Sequence, residues 1–465
     1  MNRSAPIRRI LIILAWLVIW QLVSWGLGNP FLFCGPLEAC EALVEGLPTP
    51  AFWTTIGWSL LRITIGFAIA FIAGICLGAL GARLSWLDDW LSPLINVIKS
   101  TPVVCFIALL LVWFGSAATT SIIVGLVVFP PFYFAMGEIH HARNWRIEEM
   151  LVVFHISRWR RFLCARWPMA ASYLRAAAKS AVGMAWKAGV AAELIGLPLN
   201  SIGDAIYRSK LSLHTDSIIA WTAMVIFISW LAERVLVWLI KASTEIPARV
   251  LDADVARAQA LDNAPESSLR TAAASLSIRE LHKTYGDHAV FEDLTGAFEA
   301  GSRVCLMAAS GAGKTTLLRL MAGLEEFETG SLDLTPQDGL SVMFQETRLV
   351  DALTVSENLA LTATDDTELH TALRFVGELF PNEAATLSKH ATELSGGMQR
   401  RVELARTLAH PSSIVLLDEP FAGLDEDTKG QAIELIDRTL DGRTLIVATH
   451  DPQDAELLDA AILRL

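Results

Sequence analysis

The sequence predicts a multidomain protein: an all-α polytopic membrane domain of about six transmembrane helices, followed by a soluble α/β domain. Three observations support this division. The 465 residues are 53% hydrophobic, a high fraction for a soluble protein, and all 15 tryptophans lie between Trp16 and Trp238. Residues 1–250 carry 20 Lys and Arg against 13 Asp and Glu, whereas the remainder carries 17 against 36. The acidic soluble half has no basic patch, which argues against a nucleic-acid partner.

Six apolar stretches have about the 17–25 residues that cross a hydrocarbon core. They lie near residues 10–28, 56–82, 97–115, 119–139, 174–197 and 217–240. The first follows three arginines, as a signal peptide would, but its run is too long and no clean cleavage site of small residues follows it. We interpret it as an uncleaved helix.

Basic residues orient these spans. Arg3, Arg8 and Arg9 place the N-terminus in the cytoplasm by the positive-inside rule. The loop after the first span contains glutamates and no Lys or Arg, whereas the loop between the fourth and fifth spans is rich in arginine. The first loop is therefore expected outside and the second inside. Six spans then predict a multi-pass protein of the cell membrane, in contact with lipid, with the N-terminus and the soluble half in the cytoplasm.

Cysteine usage points to no metal site, because the six cysteines are scattered without a C-x-x-C pair or a histidine cluster. Cys34 and Cys40 fall in one expected external loop. A disulfide between them and two free thiols are both compatible with the sequence.

Two charged residues, Lys187 and Glu193, interrupt the fifth apolar stretch. A charge near the membrane centre costs about 2.5–3.5 kcal/mol on insertion scales, so such residues usually face a cavity or a partner. Six residues apart on a helix, they cannot share one face. They are candidates for lining a transport pathway, with structural pairing or an interfacial position as the alternative.

A phosphate-binding loop is predicted at residues 308–316, which read AASGAGKTT. A strand-like stretch precedes it and an amphipathic helical pattern follows, which is the context that such a loop requires. Lys314 would neutralise phosphate charge and Thr315 would ligate Mg²⁺. The strict pattern has glycine in place of Ala308, at the strand end, where a methyl group is tolerated if φ is negative. The residues expected to bind ATP here are Ser310, Gly311, Ala312, Gly313, Lys314, Thr315 and Thr316.

Two further motifs carry chemistry. The apolar strand SIVLLDEP ends in Asp418 and Glu419, a carboxylate suited to support Mg²⁺ followed by a candidate general base for water. The stretch ELSGGMQRR places Ser395, Gly396 and Gly397 before a helix, a second anion-binding terminus.

The order of these motifs resembles the ATPase of the ATP-binding cassette (ABC) family. The resemblance implies that Tyr285 stacks on adenine and that Gln345, in MFQE, contacts Mg²⁺ and the attacking water. It also implies that Asp425 lies in the D-loop and that His450 contacts the γ-phosphate. On this pattern Glu419, His450 and Gln345 are catalytic, and Thr315, Gln345 and Asp418 bind Mg²⁺. A domain that binds nucleotide without hydrolysing it is disfavoured, because Glu419 and His450 are both present.

The domains are expected at 1–241 and 276–465, with a linker at 242–275 that is rich in Ala, Asp, Ser and Glu. Between the fourth and fifth spans, residues 149–168 resemble the coupling loop of ABC importer permeases. Glu149 and Pro168 lie at its ends, and His155 stands where the family has glycine. A short amphipathic helix lying on the lipid surface is the alternative interpretation.

The membrane half resembles permeases of the nitrate, sulfonate, taurine and thiamine-precursor importer group. The resemblance implies an ATP-driven importer that uses ATP and Mg²⁺ and takes its solute from an extracytoplasmic solute-binding protein. It also implies a homodimer, because the family binds nucleotide between Lys314 of one ATPase domain and Ser395 of its partner. An ABC exporter and a membrane-anchored ATPase with a non-transport role are the alternatives. The sequence does not identify the solute.

Overall fold

The computed structural model describes residues 4–29, 33–261, 273–286, 288–309, 311–335 and 339–465. The chain forms two compact units. The first comprises Met1–Arg143 and Met169–Ser243, and the second comprises Asn144–Pro168 and Thr244–Leu465. The arginine-rich loop thus belongs with the soluble half, although its position in the chain had assigned it to the membrane domain. The physical reason is that its apolar residues, including Met150, Leu151 and Phe154, are buried in the core of the second unit.

Helices dominate the first part of the chain. In chain order they are α1 (Ser4–Leu27), α2 (Pro36–Gly46), α3 (Pro50–Gly81), α4 (Ser85–Ser100), α5 (Val103–His141), α6 (Trp145–Val153), α7 (Trp167–Gly196), α8 (Ile202–Leu211) and α9 (Thr215–Gln259). A short helical turn at Arg158–Arg160 and a π-helical stretch at Arg161–Arg166 precede α7. Of the linker expected at 242–275, the part up to Gln259 is therefore helical, and residues 262–272 lie outside the described part.

Among the described residues, α3, α5 and α9 are long and apolar enough to cross a membrane, and α1 contains a shorter apolar run at Leu11–Leu27. The expected spans near 97–115 and 119–139 both map onto α5, which begins only after Pro102. The backbone leaves the helical conformation at Gly115, where φ is 70° and ψ is 177°. Glycine adopts this conformation without the steric penalty of a side chain. The count of six spans and their orientation remain predictions.

Close approach of α3 to α5 depends on small residues. A Cβ added at Gly66 would lie 2.2 Å from the carbonyl oxygen of Ser121, and one added at Gly78 would lie 2.6 Å from that of Tyr133. The Ser121 hydroxyl also donates a hydrogen bond of 2.8 Å to the carbonyl oxygen of Arg62. Small residues allow membrane helices to pack with their backbones in contact, as the glycine content of this stretch indicates.

Cys34 and Cys40 are free thiols in the structure. Cys34 is buried and Cys40 is exposed. Of the two alternatives that the sequence left open, the structure therefore contains the unbonded pair.

Within its described residues, the second unit contains two sheets. Its strands are β1 (Ser275–Tyr285), β2 (His288–Phe298), β3 (Arg303–Met307), β4 (Thr329–Thr335), β5 (Leu340–Met343), β6 (Ile414–Asp418), β7 (Thr444–Ala448) and β8 (Ala461–Arg464). An antiparallel sheet has the order β2-β1-β4, and a parallel sheet has the order β5-β6-β7-β3-β8. The parallel sheet confirms the expectation from alternating strand and helix patterns.

The second unit also contains the following helices, of which the first, the fifth and the last contact strands of the parallel sheet. They are α10 (Lys314–Met321), α11 (Val355–Thr362), α12 (Asp366–Leu379), α13 (Glu383–Leu387), α14 (Gly396–Ala409), α15 (Glu426–Leu440) and α16 (Pro452–Leu457). Strands β6 and β7 are completely buried, as strands covered on both faces must be. Because the strands are parallel, their carboxyl ends meet at one edge of the sheet.

We expect Gly66→Ala and Gly57→Ala to change the stability of the membrane unit in opposite directions. The added methyl group at Gly66 collides with Ser121, which costs about 1–3 kcal/mol, whereas nothing lies within 4 Å at Gly57 of the same helix. At Gly57 the alanine gains up to about 1 kcal/mol from helix propensity. Unfolding of the full chain in SDS, followed by circular dichroism, measures both. Equal effects of the two substitutions would contradict the packing described here.

Candidate functional site

Four chain segments meet at the carboxyl edge of the parallel sheet. The phosphate loop follows β3, Gln345 follows β5, Asp418 ends β6, and His450 follows β7. Ligand sites of open parallel sheets lie at this edge. The segments enclose a pocket of about 840 Å³, lined by Tyr285, His288, Val290, Gly311, Gly313, Lys314, Thr315, Thr316, Gln345, Arg400, Asp418, Glu419, Ala422 and His450.

The phosphate loop has the backbone that its glycines predict. Gly311 and Gly313 have φ of 85° and 97°, and Gly313 caps the start of α10. A Cβ at Gly313 would also collide with the side chains of Val290 and Phe291, both at 2.7 Å. Ala308 does not have positive φ, so its methyl group fits at the strand end where glycine is usual. Ser310 lies outside the described residues.

Lys314 is held across the loop. Its Nζ donates a hydrogen bond of 2.8 Å to the carbonyl oxygen of Ala308. The ammonium group thus lies beside the pocket, with the start of α10 and its backbone amides at the same place. The loop offers positive charge and amide donors to an anion, which is the chemistry that a nucleotide's phosphates require.

Three oxygen atoms cluster beside the loop. Thr315 Oγ1 lies 2.9 Å from Asp418 Oδ2 and 3.5 Å from Gln345 Oε1. Burial raises the pKa of Asp418, although the hydrogen bond from Thr315 opposes the rise. Hydroxyl, amide and carboxylate oxygens are the ligands that Mg²⁺ prefers, so this donor set fits the expected metal.

Glu419 and His450 form the second polar pair of the pocket. His450 Nδ1 lies 2.9 Å from Glu419 Oε2. The hydrogen bond with Glu419 and the charge of that carboxylate raise the pKa of His450. Glu419 has φ of 49°, an uncommon conformation for a residue with a side chain, and its amide donates to the carbonyl oxygen of Ala448 at 2.9 Å. This strained turn directs the carboxylate into the pocket.

Arg400 is a pocket residue that the sequence analysis missed. Its guanidinium is buried and donates to the carbonyl oxygens of Phe344 at 2.5 Å and Glu419 at 3.1 Å. It thereby joins the segments that carry Gln345 and Glu419. Its position on α14, just after the SGG motif, was the available signal, but charge alone does not show that an arginine is buried.

The other residues that were expected to bind ATP do not all line this pocket. Tyr285 lines it, is 48% exposed and donates its hydroxyl to Glu325. Ser395 instead caps α14 by accepting from the amide of Met398 at 3.4 Å, and Asp425 caps α15 by accepting from that of Thr428 at 2.9 Å. Ser395, Gly396, Gly397 and Asp425 are not among the described residues that line the Lys314 pocket.

The segment 144–168, which we call the docking segment, packs against the ATPase fold through Glu149. The Glu149 carboxylate receives Arg319 at 2.6 and 3.1 Å and Arg348 at 2.8 Å. Burial opposes ionisation of Glu149, but the hydrogen bonds and charges of these two arginines outweigh it and hold its pKa below the usual value. Arg319 lies on α10, which begins at Lys314, and Arg348 lies three residues after Gln345. Glu149 therefore links two of the four segments that form the Lys314 pocket, the phosphate loop with its helix and the chain after Gln345.

Apolar packing completes the contact. Phe154 is fully buried, its ring centroid lies 4.9 Å from that of His410, and Arg406 stacks over it at 5.4 Å. The helix α6 ends directly before it, and the chain turns at His155, where φ is 52°. The family has glycine at this position, so His155 keeps the glycine-like conformation with a different residue. Pro168 lies in the first turn of α7, where proline is tolerated.

The end of α9 also contacts the docking segment. Arg160 donates to Asp254 at 2.8 Å and to the carbonyl oxygen of Ala360 at 2.5 Å. Arg257 pairs with Asp254 and, at 3.2 Å, with Asp366 on α12. The first part of the expected linker is thus an ordered partner of the docking segment.

The two candidate pathway residues have different surroundings in the membrane unit. Glu193 is fully buried, accepts a hydrogen bond of 2.7 Å from Ser59 and lies 3.6 Å from Arg62. It ties α7 to α3. Lys187 instead lines a cavity of about 620 Å³.

Comparison with known proteins identifies both halves. The family described as "ABC transporter" matches residues 291–422, and the family described as "Binding-protein-dependent transport system inner membrane component" matches residues 74–245. The aliphatic sulfonates import ATP-binding protein SsuB 1 of Paracoccus denitrificans is 33% identical over 196 residues, which cover 42% of this chain and 80% of that protein.

Two further relatives match the same half. The protein of the same name from Pseudomonas savastanoi pv. phaseolicola is 36% identical over 40% of this chain and 79% of that protein. The sulfate/thiosulfate import ATP-binding protein CysA of Burkholderia mallei is 34% identical over 40% of this chain and 59% of that protein. This chain therefore belongs to the ABC transporter family, and it joins an importer's permease and ATPase in one polypeptide. Its ATPase half binds ATP and couples hydrolysis to transport.

We expect Phe154→Ala to loosen the docking segment and Phe162→Ala to leave it nearly unchanged. Truncating a fully buried phenylalanine costs about 3–5 kcal/mol. Phe162, in the same segment, is 42% exposed and loses much less on truncation. Hydrogen exchange of the full chain in lipid nanodiscs should show faster exchange over residues 144–168 only for Phe154→Ala. Equal exchange in both variants would mean that the buried ring does not hold the segment.

Proposed function

We propose that this importer moves a small organic anion of the sulfonate class across the cytoplasmic membrane. The relatives of its ATPase half are named for the import of aliphatic sulfonates or of sulfate and thiosulfate, which supports an oxyanion. Nitrate and thiamine-precursor-like solutes, which the permease motifs also suggest, are the alternatives. The observation that supports ATP-driven transport is one carboxylate of the docking segment, Glu149, which is held by arginines from two segments of the Lys314 pocket.

The pocket residues take separate roles in hydrolysis. Lys314 and the phosphate loop hold the β- and γ-phosphates, and Tyr285 stacks on adenine. Glu419 accepts the proton of the attacking water, which adds to the γ-phosphorus as the bond to ADP breaks. His450 and Gln345 orient the water and the γ-phosphate. Thr315, Gln345 and Asp418 would hold Mg²⁺, which supplies charge neutralisation of the phosphates.

The docking segment couples this chemistry to transport. Closure of the phosphate loop on ATP shifts α10 and hence Arg319, while a change at Gln345 shifts Arg348. Both movements reach Glu149, and residues 144–168 connect α5 directly to α7 along the chain. The spans thereby alternate between outward and inward access as ATP binds and is hydrolysed.

The functional unit is a homodimer. Ser395, Gly396, Gly397 and Asp425 lie at helix starts that do not line the Lys314 pocket, so they are available to complete the pocket of a second copy. An extracytoplasmic solute-binding protein delivers the solute. The N-terminus and the ATPase half lie in the cytoplasm, as the distribution of basic residues indicates.

We expect Glu419→Gln to lower ATP hydrolysis in lipid nanodiscs by about 100-fold or more, because a general base typically contributes that much. Glu426→Gln, on the exposed first turn of α15, should leave it unchanged. The unmodified chain should be stimulated severalfold by the solute-binding protein encoded nearest its gene when that protein carries an alkanesulfonate.

Two results would contradict the proposal. Hydrolysis that survives Glu419→Gln would remove the assigned base. Hydrolysis that depends on Glu419 but responds to no loaded binding protein would favour a non-transport role.

The proposed homodimer is tested separately. Native mass spectrometry of the same sample should show two chains per particle.

A further inference from the structure

A cavity of about 620 Å³ lies within the membrane unit, between α4, α5 and α7. Ser180 and Ala191 mark its extent along α7, so it runs for about 16 Å at the helical rise per residue. Its volume falls within the range of about 300–1,000 Å³ that is usual for small-molecule sites. It is therefore large enough to hold a small organic solute.

The charged side chains among the described lining residues of the cavity are all positive. Lys99 and Lys187 both line it, Thr101 and Ser180 are its other polar residues, and no Asp or Glu is among the described lining residues. The rest of the wall is aliphatic, proline or aromatic. Lys99 Nζ lies 5.7 Å from the ring centroid of Phe134, another lining residue.

The side chain of Lys187 is exposed and is not paired with another side chain of the described residues. Within the described part of the chain it has no hydrogen bond or ion pair, whereas Glu193 on the same helix is committed to Ser59 and Arg62. Lys187 lies in the fifth span that the sequence predicts, near residues 174–197. Unpaired charges inside membrane spans are costly, and those that persist usually serve a ligand or an ion pathway. A bound anion would supply the missing partner.

We propose that this cavity is an anion-selective translocation site, in which Lys187 and Lys99 bind the acidic group of the solute and the apolar wall accommodates its alkyl chain. This inference rests on the proposed function and makes it more specific: the permease itself selects amphiphilic monoanions and rejects cations of the same shape. An anionic lipid headgroup has the same chemistry, so the test must separate the two sources.

The test measures binding of radiolabelled hexanesulfonate to the full chain in nanodiscs of zwitterionic lipid, without ATP or a binding protein. The unmodified chain should bind saturably. Lys187→Met should weaken binding about tenfold or more, as expected for loss of a charge-assisted contact, and Lys187→Arg should restore most of it. Lys179→Met is the matched control, because Lys179 lies on α7 and is exposed but does not line the cavity. Hexylammonium should not compete.

Several results would overturn the inference. They are absence of saturable binding to the unmodified chain, equal binding by Lys187→Met, competition by hexylammonium as strong as by hexanesulfonate, and displacement of hexanesulfonate when phosphatidylglycerol is added to the nanodisc. An unchanged circular-dichroism spectrum and an unchanged elution volume in size-exclusion chromatography show that Lys187→Met is folded. Because binding is measured without nucleotide, a negative result here is distinct from failure of ATP-driven import.

Discussion

The contact on which the account depends is the carboxylate of Glu149 between Arg319 and Arg348. Arg348 has only 5% of its side chain exposed, so its charge needs a partner within the protein. Removing one member of a buried ion pair typically costs about 3–5 kcal/mol, because the other charge is left without compensation. Through Glu149 the docking segment is therefore joined both to the helix that begins at Lys314 and to the chain that follows Gln345.

The nucleotide pocket could be predicted from the sequence because each of its elements is local. A strand, a glycine-rich turn and a helix specify the loop around Lys314 within a few residues, and Asp418 and Glu419 follow directly from a buried strand. Because β3 and β6 are strands of one parallel sheet, their carboxyl ends lie at the same edge, and no other contact is needed to predict this. Ala308 and His155 show the limit of such patterns, since both depart from the family's glycine. His155 nevertheless adopts the glycine-like positive φ.

What could not be predicted depends on contacts between distant parts of the chain. Arg319, Arg348 and Arg400 are ordinary arginines in sequence, and only the fold shows that they hold Glu149 or the backbone around Glu419. Likewise Glu193 has the same sequence signature as Lys187, but Ser59, far away in the chain, makes it a structural residue. The inclusion of residues 144–168 in the second unit also follows from packing, and hydropathy carries no signal for it.

The most direct test of the central claim is a double-mutant cycle on Glu149 and Arg319, read out as hydrolysis stimulated by the loaded binding protein. Glu149→Gln and Arg319→Gln should each reduce the stimulated rate while the unstimulated rate persists. The double variant should be no worse than either, with a coupling energy of about 1–3 kcal/mol. The pair Arg303 and Asp437, 2.5 Å apart in the same domain, serves as control. Additive losses, or stimulation that survives Glu149→Gln, would contradict transmission through this contact.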